Sequence, residues 1–190
     1  AFPGANGNLK HVRSSGVDVV CIGETLLDLL PSRAGRLLRD ASSFSPTLGG
    51  SPANTSVWLS RLGVSAGLVT RIGADEFGAI CLRELEQAGV NTTAVAQDPE
   101  LKTGLCFLQI DEEGERSFFS YRTQTAEVHF GPADLDEVML SQAKAVHLCP
   151  TPMKLPSGRE AILRAAAVAR DHGAMVSADC NLRPKHWGSA

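Results

Sequence analysis

Two continuous apolar runs, each paired with a helix that carries its own stop signal, constrain this chain more than any other feature. VDVVCIGE (Val17 to Glu24) and AGLVTRIG (Ala66 to Gly73) lack the polar alternation of a half-solvated strand. They read as strands covered on both faces. TLLDLLP (Thr25 to Pro31) continues the first run in extended or irregular form and carries one carboxylate, Asp28. Between the runs lies GGSPANTSVWLSRLG (Gly49 to Gly63). Ser51 suits an N-cap there and Pro52 the first helical position, where a missing N–H costs nothing. Ala53, Val57 and Leu62 recur at helical spacing, and Gly63 fits a left-handed stop. After the second run, Asp75 caps a helix with Phe77, Cys81, Leu85 and Ala88 on one face, and Gly89 ends it. Strand, helix, strand, helix predicts a parallel sheet with helical cover.

The middle of the chain breaks that rhythm. TGLCFLQI (Thr103 to Ile110) and ERSFFSYR (Glu115 to Arg122) are β-rich runs joined by Asp111-Glu112-Glu113-Gly114, which signals a hairpin. A hairpin among βα units is not a crossover, so it is expected to stand out as a flap, with Tyr121 and Arg122 near its end. The rhythm then returns. A short helix is expected over Asp134 to Lys144, a strand at Ala145 to Cys149, and a helix opened by a Ser157–Glu160 capping box and stopped by Gly173. The next strand is Ala174 to Asp179, making a βαβ unit with a right-handed crossover. NLRPKHWGSA follows with no further helix, which leaves part of a parallel sheet uncovered. The expectation is therefore the N-terminal portion of a longer protein.

Composition excludes several classes. The 190 residues are 43% hydrophobic and 21% charged with a net charge of −3, ordinary for a globular protein and without the basic excess that nucleic acid or an anionic membrane surface calls for. No apolar run approaches the roughly 20 residues of a membrane span. Residues 1–16 are Gly-, Ser- and Asn-rich and read as a disordered leader, compatible also with the tail of an organelle-targeting segment. The five cysteines are scattered, with no C-x-x-C pair, and read as buried small hydrophobes of a reducing compartment. His147 and Cys149 share a strand face, but core packing accounts for them better than a metal. A Walker loop, a dinucleotide fingerprint and a G-x-S-x-G elbow are all missing.

Helix capping explains neither the paired Gly49-Gly50 nor Asn54 in the first turn. Glycines there let something approach the backbone, where N-terminal N–H groups point outward. Ligands of open α/β sheets bind beyond the carboxyl ends of strands. Asp28, Arg71 and Asp179-Cys180-Asn181-Leu182-Arg183 fall at such ends, with Arg122 added by the flap. A carboxylate and an amide suit polyol hydroxyls, and arginines suit a phosphate or carboxylate. Singly, each has a duller account: a turn for Asp179, a surface ion pair for Arg71, half-buried packing for Tyr121.

Five stretches together change that balance: GETLLD (Gly23 to Asp28), GGSPANTSVWLSRLG, TRIGADEFG (Thr70 to Gly78), SYR (Ser120 to Arg122) and DCNLRPKHW (Asp179 to Trp187). In this order they resemble the ribokinase-like (PfkB) carbohydrate kinases over nearly all of residues 17 to 187. The resemblance implies an α/β fold, a mostly parallel sheet with helices on both faces and a protruding β-flap built from segments around 24–48 and 103–123. Residues 17–190 would be its N-terminal part, incomplete C-terminally. It implies ATP-dependent phosphorylation of a sugar hydroxyl, with ATP and Mg²⁺ as cofactors. Carried over by position, Asp28, Gly49, Gly50 and Asn54 would hold sugar hydroxyls, Tyr121 and Arg122 would reach the sugar from the flap, Asn181 would lie near the phosphates and Mg²⁺, and Arg183 would contact substrate or phosphate.

Within the resemblance two subgroups compete. D-x-N-L-R with Tyr-Arg on the flap is similar to fructokinases, while the ending R-P-K-x-W is equally similar to 2-keto-3-deoxygluconate kinases. Ser120 stands where both usually carry an aromatic. The catalytic aspartate of the family lies in a Gly-Ala-Gly-Asp motif that these residues do not contain. No catalytic residue is therefore assigned here, and the 190-residue chain alone is expected to be inactive. The rival readings are a non-catalytic kinase-like interaction protein and a complete sugar-binding protein without turnover. A dehydrogenase is weakly supported. The flap allows a homodimer, and the expected location is the cytoplasm, with a plastid also compatible.

Overall fold

The computed structural model describes residues 16–32, 37–111 and 114–181. The expected leader (1–16) lies outside them apart from Gly16, as does Arg183. Five parallel strands form the main sheet: β1 (Val19–Ile22), β4 (Ala66–Gly73), β5 (Val95–Asp98), β8 (Ala145–Leu148) and β9 (Met175–Ala178). Their spatial order is β5-β4-β1-β8-β9, so the first strand is central. The other four strands make a separate sheet in the order β3-β2-β6-β7: β2 (Leu26–Pro31), β3 (Phe44–Gly49), β6 (Leu105–Ile110) and β7 (Arg116–Tyr121). Here β2 pairs antiparallel with β3 and parallel with β6, and β6–β7 is the expected hairpin.

Alternation along β1 sends its side chains to two cores. Val20 and Ile22 join Val69, Val146 and Leu148 on one face, under α3 (Glu137–Gln142) and α4 (Pro156–Asp171). Cys21 joins Leu68 on the other, under α1 (Ser51–Arg61) and α2 (Glu76–Gln87). The central strands are thus covered on both faces, which is why they read as unbroken apolar runs, while β9 at the edge is largely exposed. The second run matches β4 residue for residue. The first ends sooner than its hydrophobicity suggests. At Gly23 (φ +149) the chain leaves the main sheet, and Thr25 leads into β2 of the second one.

Two of the three expected caps differ from the structure. Asp75 behaves as expected, its carboxylate accepting the Gly78 N–H at 2.8 Å and Thr103 N–H at 2.9 Å. Ser51 is already helical, and the cap position belongs to Gly50. The Ser51 hydroxyl faces Asp179 instead, at 3.3 Å from Oδ2. The α4 helix begins at Pro156 without a side-chain cap, so the Ser157–Glu160 box does not form. A Cβ on Gly158 would stand 2.0 Å from the Pro152 carbonyl oxygen, so this helix start is seated on the 3-10 turn Thr151–Lys154 rather than capped. Leu62 and Phe77, expected on apolar faces, are exposed. Four cysteines are buried as expected, but Cys180 is exposed.

Beyond the central strands, Arg71 on β4 bridges Asp98 (Nε to Oδ2, 2.9 Å) and Asp134 (3.3 Å). The Leu101 and Glu100 N–H groups and Arg71 hold the Asp98 carboxyl down at about 2. A depressed acid contributes stability that is complete above the unfolded value near 4 and is lost as pH falls toward about 2. Acid unfolding followed by circular dichroism is expected to steepen across that window, and Asp98→Asn to flatten it while lowering stability at pH 7.

Candidate functional site

The order β5-β4-β1-β8-β9 contains one reversal. From β1 the chain builds outward through β4 and β5, then returns to place β8 on the other side of β1. Helices start on opposite faces there, and the carboxyl ends of β1 and β8 part to leave a crevice. Gly23-Glu24 follow β1 and Cys149-Pro150-Thr151 follow β8. The second sheet, entered directly from β1, overhangs this end.

Two clefts open under that overhang. The larger, of ≈ 640 Å³, runs between α1 and the second sheet and is lined by Asp28, Ser51, Asn54, Trp58, Asp179 and Asn181 among others. Asp28 sits in the middle of β2 opposite Thr47 and Cys106. Burial pushes its carboxyl up to about 6, against the pull of Arg122. Asn54 is exposed in the first turn of α1, its backbone N–H bonded to the Gly50 carbonyl at 2.9 Å. On the far wall Asp179 Oδ1 accepts the Asn181 N–H at 2.9 Å, and Asn181 takes the left-handed region (φ +39). An asparagine tolerates that conformation better than most residues, and the Asx turn holds it there.

Gly49 and Gly50 are required by the protein's own packing. A Cβ on Gly49 would stand 2.7 Å from Asp28 Cγ and Oδ2, so this glycine makes room for the carboxylate. Gly50 has φ +101, and its Cβ would lie 2.3 Å from the Glu24 carbonyl oxygen. Close backbone approach is real at both positions, and protein atoms make it.

The smaller cleft, of ≈ 270 Å³, lies beside the β1–β8 crevice. Arg122, Glu127, Thr151 and Lys154 line it, with Ser120 and Thr123 at the flap end. Arg122 donates from Nε to Glu127 Oε1 at 2.9 Å, and the Thr125 hydroxyl reaches the same oxygen at 2.8 Å. Glu127 is 1% exposed and its Oε2 has no partner among the described residues. Gly104 gives it space, since a Cβ there would meet Oε1 at 2.2 Å. Glu24 is also buried with an unpartnered Oε2. Burial pushes its carboxyl up, and Arg122 and Thr151 oppose that.

The structure therefore brings Asp28, Asn54 and Asn181 to one cleft and Arg122 to its neighbour, linked by the field of Arg122 on Asp28. Tyr121 lines neither. It is 69% exposed and packs edge-to-face on Phe107 at 5.7 Å between centroids. Arg71 is committed to its two aspartates. Glu127 and Lys154 are additions that no motif pointed to, and Glu24, though part of the GETLLD stretch, was given no role there. Among the described residues no group of three or more His, Cys, Asp or Glu stands close enough to hold a metal ion, and no helix is long and apolar enough to cross a membrane.

Comparison with known proteins bears on the family and the fold. The sequence profile of the family described as "pfkB family carbohydrate kinase" matches residues 17–190. A protein of Arabidopsis thaliana described as a probable chloroplastic fructokinase-6 is 36% identical over 172 residues, covering 90% of this chain and 45% of the relative. The fructokinase of Xylella fastidiosa solved with bound ATP superposes with a TM-score of 0.80 at 31% identity, over 91% of this chain and 54% of that one. An E. coli protein described as a ribokinase II, solved with ATP and Mg²⁺, gives 0.81 at 25% identity, over 89% and 54%. The chain spans about half the length of the relatives it matches.

Proposed function

The chain belongs to the pfkB family of carbohydrate kinases, and we propose that the whole protein transfers the γ-phosphoryl group of ATP to a hydroxyl of fructose or a related ketose or keto-sugar acid. This chain supplies the part of the site that grips the sugar. The observation that carries the reading is the Asp28 carboxylate, half-buried at the cleft wall and faced by Asn54 at the start of α1 and Asn181 after β9. Ionised, Asp28 accepts hydrogen bonds from two sugar hydroxyls. The Asn54 amide both donates and accepts, so it fixes a third hydroxyl whichever way that group points. Gripping the acceptor in one orientation is the largest contribution such residues make to phosphoryl transfer, where positioning and charge neutralisation dominate.

ATP with Mg²⁺ would supply the phosphoryl group and neutralise its charge. The described residues offer Asp179 and Asn181 at that end, one carboxylate and one amide, which is too few donors for a metal–nucleotide site. Tyr121 and Arg122 on the sugar, and Arg183 on substrate or phosphate, are part of the same proposal. The absence of a Gly-Ala-Gly-Asp motif from these 190 residues supports a second reading for the chain by itself, sugar binding without turnover. A coupled assay of the intact protein with ATP and fructose or 2-keto-3-deoxygluconate tests the first reading. Turnover is expected, and its absence with both acceptors, alongside measurable sugar binding, would favour the second.

The proposal extends to a homodimer through the second sheet. All six residues of β7 are exposed at its edge, with Phe118 at 55% and Phe119 at 47%. Exposed aromatic edges of this kind pair with another strand or aggregate. Phe118→Lys with Phe119→Lys is expected to shift the intact protein from dimer to monomer in size-exclusion chromatography with light scattering. A wild-type monomer at micromolar concentration would end the dimer proposal. The cytoplasm remains the proposed location, and the chloroplastic relative supports a plastid equally.

A further inference from the structure

The arginine at the end of the second sheet is held by an acid that belongs to a different part of the molecule. Arg122 follows β7, the edge strand of that sheet. Glu127 stands in the 3-10 turn Ala126–His129. Ala126 is fully buried, and its N–H bonds the Lys102 carbonyl at 2.9 Å. Phe130, directly after the turn, is buried in the core beneath α3 and α4. Glu127 is therefore anchored to the main body, while the Arg122 Nε whose proton it accepts comes from the overhanging sheet. The contact is made through Nε, and among the described residues the terminal guanidinium nitrogens of Arg122 make no hydrogen bond. Both residues line the ≈ 270 Å³ cleft.

Stability alone does not call for a carboxylate at this place. Glu127 is buried, and its Oε2 has no partner among the described residues. Desolvating an acid in that way costs more than filling the same space with an apolar side chain. The surroundings are nonetheless shaped to it: Gly104 leaves Oε1 its room, and the Thr125 hydroxyl shares that oxygen with Arg122. Glu24, the other buried acid nearby, makes no hydrogen bond to Arg122 and meets it only through its charge. An arginine side chain has many rotamers, and ordering it is part of the cost of binding. Held by Nε beforehand, it presents its other donors in one direction without that ordering step. We propose that Glu127 is a positioning residue, which fixes Arg122 by its Nε edge from the main body so that the terminal nitrogens meet the acceptor hydroxyls already in place. The inference rests on the reading in which Arg122 contacts the sugar, and adds the residue that acts through it. Donors aimed in this way serve the bound sugar and the transition state alike, so the effect falls on KM for the sugar and not on kcat.

Initial rates of the intact protein with ATP and fructose would be measured for Glu127→Leu, Glu127→Gln, Arg122→Met and the Arg122→Met, Glu127→Leu double variant. Glu127→Leu is expected to raise KM for fructose about tenfold, with kcat and KM for ATP within about twofold of wild type. Glu127→Gln keeps an oxygen for Nε but exchanges a charge-assisted bond for a neutral one, so a rise of about threefold is expected. The double variant is expected to match Arg122→Met, because the group that Glu127 aims is gone. An unchanged KM for fructose in Glu127→Leu, a fall in kcat in its place, or the full tenfold rise repeated in the Arg122→Met background would overturn the proposal and leave the kinase reading standing. If Glu127→Leu does not fold, Glu127→Gln decides by the presence or absence of its rise in KM. An Arg122→Met variant with the wild-type KM would remove the contact between Arg122 and the sugar, and the proposal with it, without touching phosphoryl transfer. If fructose is not phosphorylated, the kinase reading fails on that acceptor, and the fructose dissociation constants of the same variants, measured by calorimetry, decide on Glu127 by the same pattern. A protein that neither phosphorylates nor binds fructose overturns both.

Discussion

Gly50→Ala is expected to cost about 3 kcal/mol or more of folding stability and to remove sugar binding with it. Its φ of +101 lies where an L side chain is strained, worth about 1–2 kcal/mol. The added Cβ would also stand 2.3 Å from the Glu24 carbonyl oxygen, so the backbone after β1 or the start of α1 must move. Either shift displaces Asn54, whose N–H bonds the Gly50 carbonyl, and Glu24, which borders the crevice. Gly63→Ala provides the control. That glycine has φ +87 but nothing within 4 Å of a built Cβ, so it carries the conformational cost alone, about 1 kcal/mol. Urea unfolding of both variants of the intact protein gives the comparison. Equal losses at the two positions would mean that the contact with Glu24 is relieved cheaply, and the steric account would be wrong.

Asp28→Asn is expected to move activity and stability in opposite directions. Burial lifts the Asp28 carboxyl to about 6, so near pH 7 the protein holds a charge that its surroundings disfavour. Between the unfolded value near 4 and about 6 the folded state binds more protons than the unfolded chain. Stability therefore falls as pH rises through that window. The amide lacks this liability, and after allowing for solvent screening the variant should be about 1–2 kcal/mol more stable at pH 7, with the difference fading below pH 4. Two charge-assisted hydrogen bonds to the acceptor are lost or weakened at the same time, which predicts a fall in kcat/KM of about 100-fold or more. The wild-type kcat/KM should rise with pH through about 6 as the carboxylate forms. A variant that is destabilised, or that keeps wild-type activity, would remove Asp28 from the role given to it.

Particular residues show what the sequence could disclose. The central strands of the main sheet were legible because burial on both faces leaves unbroken apolar runs, and Ala66–Gly73 was found to its last residue, whereas the short, half-buried edge strand β5 (Val95–Asp98) was not expected at all. Asp75 was legible as a cap because its partners at Gly78 and Thr103 leave it no better use. Ser51 has the same chemistry, but its hydroxyl turns to Asp179, 128 positions away, and a cap rule cannot foresee a distant partner. Leu62 and Phe77 fitted a helical period yet face outward, because periodicity locates a stripe more reliably than it locates the edges of that stripe. At the site, Asp28 stood out as the one carboxylate of an apolar stretch and Asn54 as an amide in the first turn of a helix, although Asp28 proves to lie within β2 rather than at a strand end. Lys154 and Glu127 did not, since their meaning comes from Arg122, which the second sheet carries to them.

The central position of β1 bears on how the chain is made. Its partner on one side, β4, begins at Ala66, whereas β8 on the other side begins at Ala145. At roughly 5–20 residues per second of synthesis, several seconds separate the two pairings. During that interval the first βαβ unit can close on the ribosome with β1 as an open edge, its side toward β8 unpaired. An open apolar edge is where a nascent chain is captured by chaperones or by its neighbours. Slowing translation across residues 100–144 should therefore lower the soluble yield of the protein more than the same slowing after residue 150.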